Sequence, residues 1–176
     1  AAVKPSHKLK LGTAVILASI LLNGCGNNST DSGVIQGTDT TTFVGTYEGT
    51  FELKTIVDAI GYDPKTFNVS APVIVQVTDI GTVHLTLDKS TLDGIIDNNG
   101  SWEAEFGVND FSSLVDQASR KTVRTLGCSL GKQFGKIEGQ VTYSDISGEV
   151  SGKLTCKVLL VPVGSLEVSG MLTATM

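Results

Sequence analysis

A chain of 176 residues with 13 Lys and Arg against 18 Asp and Glu carries a net charge of −5. That balance argues against a nucleic-acid binder, whose affinity comes from basic patches that neutralise phosphates. Twenty glycines and many threonines favour β structure over helix, and the length suits one domain of ordinary size.

The first residues read as an export signal. Lys4, Lys8 and Lys10 precede Leu11 to Leu22, LGTAVILASILL, which carries no charge. A basic start, a short apolar run and a small residue before the cut are the parts of a secretory signal. The run is about a dozen residues where a bilayer-spanning helix needs roughly twenty, so a permanent transmembrane anchor is disfavoured.

The run closes on Leu22-Asn23-Gly24-Cys25, which resembles the lipobox of bacterial lipoproteins: an aliphatic residue, a variable one, a small one, then the cysteine. The resemblance implies a diacylglycerol on the Cys25 thiol, cleavage after Gly24 and acylation of the new amine, for instance with palmitate. One acyl chain anchors marginally and two or three hold firmly. It divides the chain into a signal peptide at 1–24, a lipidated cysteine with a flexible tether at 25–42, and a domain at 43–176. In the enterobacterial sorting pattern an Asp after the cysteine retains lipoproteins at the inner membrane. Gly26 stands there instead, so the expected place is the periplasm-facing cell envelope, at the outer membrane.

Loss of Lys4, Lys8 and Lys10 leaves 10 basic against 18 acidic residues, a net charge of −8. That balance argues against holding anionic lipid by charge. Of the three cysteines, Cys128 and Cys156 then remain, and two thiols in an oxidising compartment can pair. A loop of that length gives about 3–4 kcal/mol in the chain-entropy model; the alternative is two unpaired cysteines, one buried as a small hydrophobe.

Gly26 to Thr42 is small and polar and reads as the tether, about 23 Å in r.m.s. span. Phe43 to Lys54 reads as the first strand, since Tyr47, Gly49, Phe51 and Leu53 alternate with Glu48, Thr50, Glu52 and Lys54. A helical turn or loop is expected at Ile56, Val57, Ala59 and Ile60, stopped by Gly61 and Asp63-Pro64. Pro72 to Thr78 and Thr82 to Asp88 form the next pair, joined by Asp79-Ile80-Gly81. Asn98-Asn99-Gly100 turns Leu92–Asp97 into Ser101–Val108. At 109–121, Phe111, Leu114, Val115 and Ala118 fall at helical spacing behind a capping Asn109 or Asp110. Lys121 to Gln133 reads as a basic loop holding Cys128. Three long strands follow, through Ile137–Tyr143, Val150–Val158 and Leu166–Ala174, with turns expected at Ser147-Gly148 and Pro162 to Gly164.

Alternation with one polar face means an antiparallel sheet packed on one side. Gly49, Gly139, Gly152 and Gly170 all fall on the apolar face. Repeated inward glycines fit a sheet that coils into a barrel. The expected fold is mainly β: an up-and-down meander of seven or eight strands closing into a barrel, or a β-sandwich, with one short helix. The opening strand Gly45-Thr46-Tyr47-Glu48-Gly49-Thr50 and the closing meander resemble the lipocalin-like (calycin-type) lipoproteins. The likeness covers 43–176 in architecture. Where lipocalins carry Gly-x-Trp, this chain has Gly45-Thr46-Tyr47, and its single Trp102 lies elsewhere.

Chemistry is sparse. His84, the only histidine after residue 24, lies on a polar strand face, and there is no Gly-x-Ser-x-Gly elbow. No zinc spacing is present, and Asp93-Gly94 and Asp97–Gly100 lack the ligand spacing of an EF-hand. Asp93, Asp97, Glu103 and Glu105 read as solubilising outward charges. Arg120, Lys121, Arg124 and Lys132 make a local basic run. No catalytic, cofactor-binding or metal-binding residue is expected, and the protein is not expected to be an enzyme. The expected function is binding: a small apolar ligand in the barrel or at its mouth, or alternatively contact with another envelope protein.

Overall fold

The computed structural model describes residues 33–87, 90–107, 109–110 and 133–176. A single 3-10 turn, Thr41–Phe43, leads into eight strands: β1 (Gly45–Ala59), β2 (Lys65–Val77), β3 (Thr82–Leu87), β4 (Ser90–Ile96), β5 (Ser101–Gly107), β6 (Gln133–Val141), β7 (Asp145–Val158) and β8 (Val161–Thr175). Each pairs antiparallel with the next, and β8 returns to β1, so the meander closes into a barrel. Of the two expected architectures it is the barrel.

Alternation decides which side chains point inward. On β1 these are Tyr47, Phe51, Leu53, Thr55 and Val57; on β7 and β8 they include Ile146, Val150, Leu154, Leu166, Val168 and Leu172. Full burial of such side chains is worth about 1.5–3 kcal/mol each. Every buried apolar residue described lies between Tyr47 and Ala174, within the compact unit Ser32–Met176. Trp102 is fully buried and donates its indole N–H to the Ser147 carbonyl at 2.8 Å, which removes the penalty of an unpaired donor. The outward rows carry Glu48, Glu52, Lys54, Lys153 and Glu167, all exposed. This is the reverse of a transmembrane barrel, whose outer face is apolar.

The strand boundaries depart from expectation where tertiary pairing overrides local signals. No helical turn forms at Ile56–Ala59. β1 runs on to Ala59 because β2 pairs one edge as far as Val57↔Lys65 and β8 the other as far as Ala59↔Gly164. β2 begins at Lys65, before Pro72. Proline fits there because β3 joins β2 only from Ile74 onward, so its missing N–H interrupts no described ladder on that side. Ser147-Gly148 is not a turn. Both residues sit in the β6–β7 ladder opposite Gln140 and Gly139, and the chain reverses at 142–144, leaving Tyr143 exposed. Gly148 is small for a packing reason: a Cβ there would come 2.7 Å from Trp102 Cζ2. Nor do Pro162 to Gly164 turn; they belong to β8, and Leu159-Leu160 makes the reversal. The turns at 79–81 and 98–100 are as expected, with Gly81 and Gly100 at positive φ. Asn109 and Asp110 are helical; the rest of the expected helix at 109–121, and the loop with Cys128, lie outside the described residues.

The inward glycines mark where strands crowd. A Cβ on Gly49 would run into the backbone of Thr173 and Ala174, one on Gly170 into Glu52, and one on Gly139 into Ser147. A backbone atom cannot swing aside as a side chain can, so these positions hold the tight coiling that lets the sheet close. Gly139→Ala is expected to lower unfolding stability by about 2–3 kcal/mol, at the upper end of overpacking penalties. Gly33→Ala, where a Cβ meets nothing within 4 Å, is the control and should leave the denaturation midpoint unchanged.

Candidate functional site: the wide end of the barrel

The two ends are built differently. One carries the short turns at 78–81, 97–100 and 142–144, and the segment before β1 runs against it. Residues 34–40, which the sequence places in the tether, are pinned there: Gln36 Nε2 donates to the Ile80 carbonyl at 2.8 Å, Gly37 N–H to the Ile96 carbonyl at 2.8 Å, and Thr40 Oγ1 to the Thr78 carbonyl at 2.6 Å. The buried Tyr47 hydroxyl lies 2.9 Å from the Phe43 carbonyl and 3.2 Å from that of Thr142. Burial first, and then the Asp145 carboxylate, raise that phenol above its ordinary pKa. Tyr47, from the Gly-Thr-Tyr of the opening strand, thus ties the entering segment to the β6–β7 turn.

The opposite end, termed the wide end for its long projecting hairpins, has an apolar lining among the described residues. β1, β2, β7 and β8 run 13–15 residues where β3, β4 and β5 run six or seven, so two long hairpins rise above the shorter strands. The inner rim consists of Ala59, Phe67, Val69, Phe134 and Val163, partly buried and packed on the core. Phe134 meets Phe106 edge-to-face, with centroids 5.4 Å apart. Below the rim, the interior is filled by the protein's own side chains: Leu87, Trp102, Leu166 and Leu172 are all at 0% exposure.

Among the described residues, one buried side-chain polar group in this apolar wall has no hydrogen-bond partner. Thr55 is 1% exposed, points inward from β1 between Phe67 and Val168 on the neighbouring strands, and its hydroxyl makes no hydrogen bond. A buried hydroxyl left unpaired costs about 1–3 kcal/mol. The first strand as read from the sequence ends at Lys54, one residue short of it; the same alternation, continued from Leu53, places Thr55 inward.

The residues singled out in the sequence do not converge. Cys25, Cys128 and the basic run of Arg120, Lys121, Arg124 and Lys132 lie outside the described residues. Cys156 points inward near the wide end of β7, 1% exposed, and its sulfur is engaged rather than a free thiol. His84 sits on the outer wall, its Nδ1 2.6 Å from Asp93 Oδ1, both partly or largely exposed. Asp97 is a turn residue, its Oδ1 accepting the Asn99 and Ser101 N–H groups at 2.8 and 2.9 Å. Among the described residues no three His, Cys, Asp or Glu side chains group as a metal site. A shallow depression on the outer wall over Gly170, between Glu52, Asn68, Ser70 and Met171, is open to solvent.

Glu103, expected as a solvated outward charge, is instead buried, at 6% exposure. The entering segment crosses its strand, and the carboxylate accepts the Val34 N–H. Burial first, then the Glu138 carboxylate, raise its pKa, against opposition from Lys136. Compared with protein-family models and with curated proteins, the chain matches none.

Because Glu103 holds its proton more tightly folded than unfolded, the folded state binds more protons between the two pKa values, and stability falls as pH rises across that window. Glu103→Gln removes this dependence. Its thermal midpoint should match the parent near pH 4 and exceed it by a few degrees at pH 7; calorimetry across that range reads the gap directly.

Proposed function

We propose that this is a lipid-anchored, non-enzymatic protein of the cell envelope whose barrel binds a small apolar ligand at its wide mouth. The observation that carries the ligand reading is Thr55: an unpaired buried hydroxyl just inside an apolar rim. The ligand that satisfies it is mostly hydrocarbon or aromatic, with one hydrogen-bonding oxygen or N–H directed inward. The filled interior below confines binding to the mouth. Membrane attachment rests on the Leu22–Cys25 resemblance, and Gly26 after the cysteine supports the outer membrane. Pairing of Cys156 with Cys128 would tie the connection between β5 and β6 to the mouth of the barrel.

A second reading is an interaction module that contacts another envelope protein, and the density of the core favours it. The two separate by experiment. The chain from Gly33 onward is titrated with N-phenyl-1-naphthylamine, an apolar fluorophore with one N–H. Thr55→Val is expected to raise unfolding stability by about 1–2 kcal/mol, since it removes an unpaired polar group at nearly constant volume, and to weaken the probe several-fold. A lower midpoint in Thr55→Val would mean that the hydroxyl is satisfied, and the ligand reading would lose its support. Absence of any fluorescence change with the parent would turn the search to a protein partner.

The anchor has its own test. Intact mass of the membrane fraction should show a gain matching diacylglycerol plus an acyl chain. Cys25→Ala should abolish both the gain and membrane retention.

A further inference from the structure

The hairpin tips above the mouth are apolar and fully presented. Ile60 and Tyr62, after β1, are 71% and 78% exposed; Val158, Leu159, Leu160 and Val161, across the β7–β8 reversal, are 47%, 92%, 89% and 61% exposed. The tips are neighbours, since the Ile60 N–H donates to the Val163 carbonyl at 3.0 Å.

The β7–β8 tip is also strained. Leu159 and Leu160 have φ of +49° and +70°, the left-handed region in which a two-residue hairpin turn favours Asn-Gly. Leucine there carries a steric penalty, and its exposure to water adds a second. Neither penalty helps the barrel, because neither side chain packs on the core.

We infer that these tips form a bilayer-contact surface, with Leu159, Leu160, Ile60 and Val161 entering the interfacial layer of a phospholipid membrane. Four features favour lipid over a folded partner. The patch is convex, made of projecting turns, whereas a protein interface would need a surface moulded to receive them. One reversal of chain matches the shallow depth, about 5–10 Å, at which interfacial elements sit. Tyr62 supplies the amphipathic ring that membrane interfaces favour, and Lys65 and Lys157, both exposed, flank the tips where headgroup phosphates would lie. Finally, the two ends differ in charge: Asp39, Asp79, Asp97 and Asp145 mark the turns and entering segment at the narrow end, where no described turn carries a basic residue, whereas at the tips the exposed Asp58 and Asp63 are balanced by Lys65 and Lys157. Anionic headgroups repel that end and leave the apolar tips to face the membrane. The charged outer wall limits insertion to the tips themselves.

This surface acts independently of a lipid on Cys25, so it is tested on the chain from Gly33 onward, which lacks that residue. The protein is floated with vesicles of phosphatidylcholine alone and with added phosphatidylglycerol. The parent should float with both, because the contact rests on the apolar tips. The double variant Leu159→Asn, Leu160→Gly should lose about tenfold or more of the bound fraction while melting at the same or a higher temperature, because Asn-Gly suits the turn. Ile60→Ser with Tyr62→Ser should give a smaller loss in the same direction. Unchanged flotation in the double variant overturns the inference, as does a parent that stays unbound in both vesicle types. A parent that instead self-associates in gel filtration, with the double variant monomeric and neither bound to vesicles, overturns it in favour of a second copy as occupant.

Discussion

The ladder between β1 and β8 is the contact on which the rest of the structure depends. It runs from Glu48↔Thr175 to Ala59↔Gly164 and turns a row of hairpins into a barrel without free edges along that seam. Closing eight strands on themselves requires steep tilt and coiling, and backbones must approach where a side chain would ordinarily stand. Gly49 opposite Ala174 and Gly170 opposite Leu53 supply that room at the seam itself. Once the seam is shut, the inward rows from all eight strands face one another, and a core centred on Trp102, Tyr47 and Phe51 can fill the interior.

From that packing follows a division of labour between the ends. The narrow end is sealed by backbone hydrogen bonds, by the Tyr47 hydroxyl and by the segment that buries Glu103. Its polar groups are paired and its turns acidic. The wide end keeps one buried hydroxyl unpaired, holds a partly buried apolar rim, and lifts uncovered hydrophobic side chains into solvent. A folded chain tolerates such features when they are few; exposed apolar side chains also occur at the narrow end, at Ile35, Ile80 and Tyr143, but only the wide end joins them to an unpaired hydroxyl and a strained turn among the described residues. Ligand binding at the mouth and lipid contact at the tips are compatible: a mouth turned toward a bilayer would take an apolar molecule from the phase in which it is dissolved.

Much of this was legible in the sequence, for physical reasons. Period-two alternation through Tyr47–Leu53, Trp102–Phe106 and Leu166–Ala174 reports directly which side faces the core. The inward parity of Gly49, Gly139, Gly152 and Gly170 signals coiling from the sequence alone. Illegible were features set by partners distant in the chain. Ile56 and Val57 look helical in isolation and are held in β1 by strands on both sides. Gly148 looks like a turn residue until the Trp102 ring is laid over it, and Glu103 looks solvated until residue 34 crosses its strand. The Leu159-Leu160 reversal breaks turn chemistry outright, so no local rule could place it.

Consecutive pairing has a kinetic side. Every ladder but one joins neighbours in sequence, and apart from β5 and β6, which residues 108–132 connect, each pair can zip with little loop-closure entropy as soon as its two strands exist. The exception joins the first strand to the last, across more than a hundred residues. Until β8 arrives, the partly made barrel is an open curved sheet with β1 bare along one edge, the kind of template that recruits foreign strands. A chain that emerges N-terminus first therefore passes through its most vulnerable state late. The residues that end that exposure, Val161–Thr175, are the final strand to be delivered.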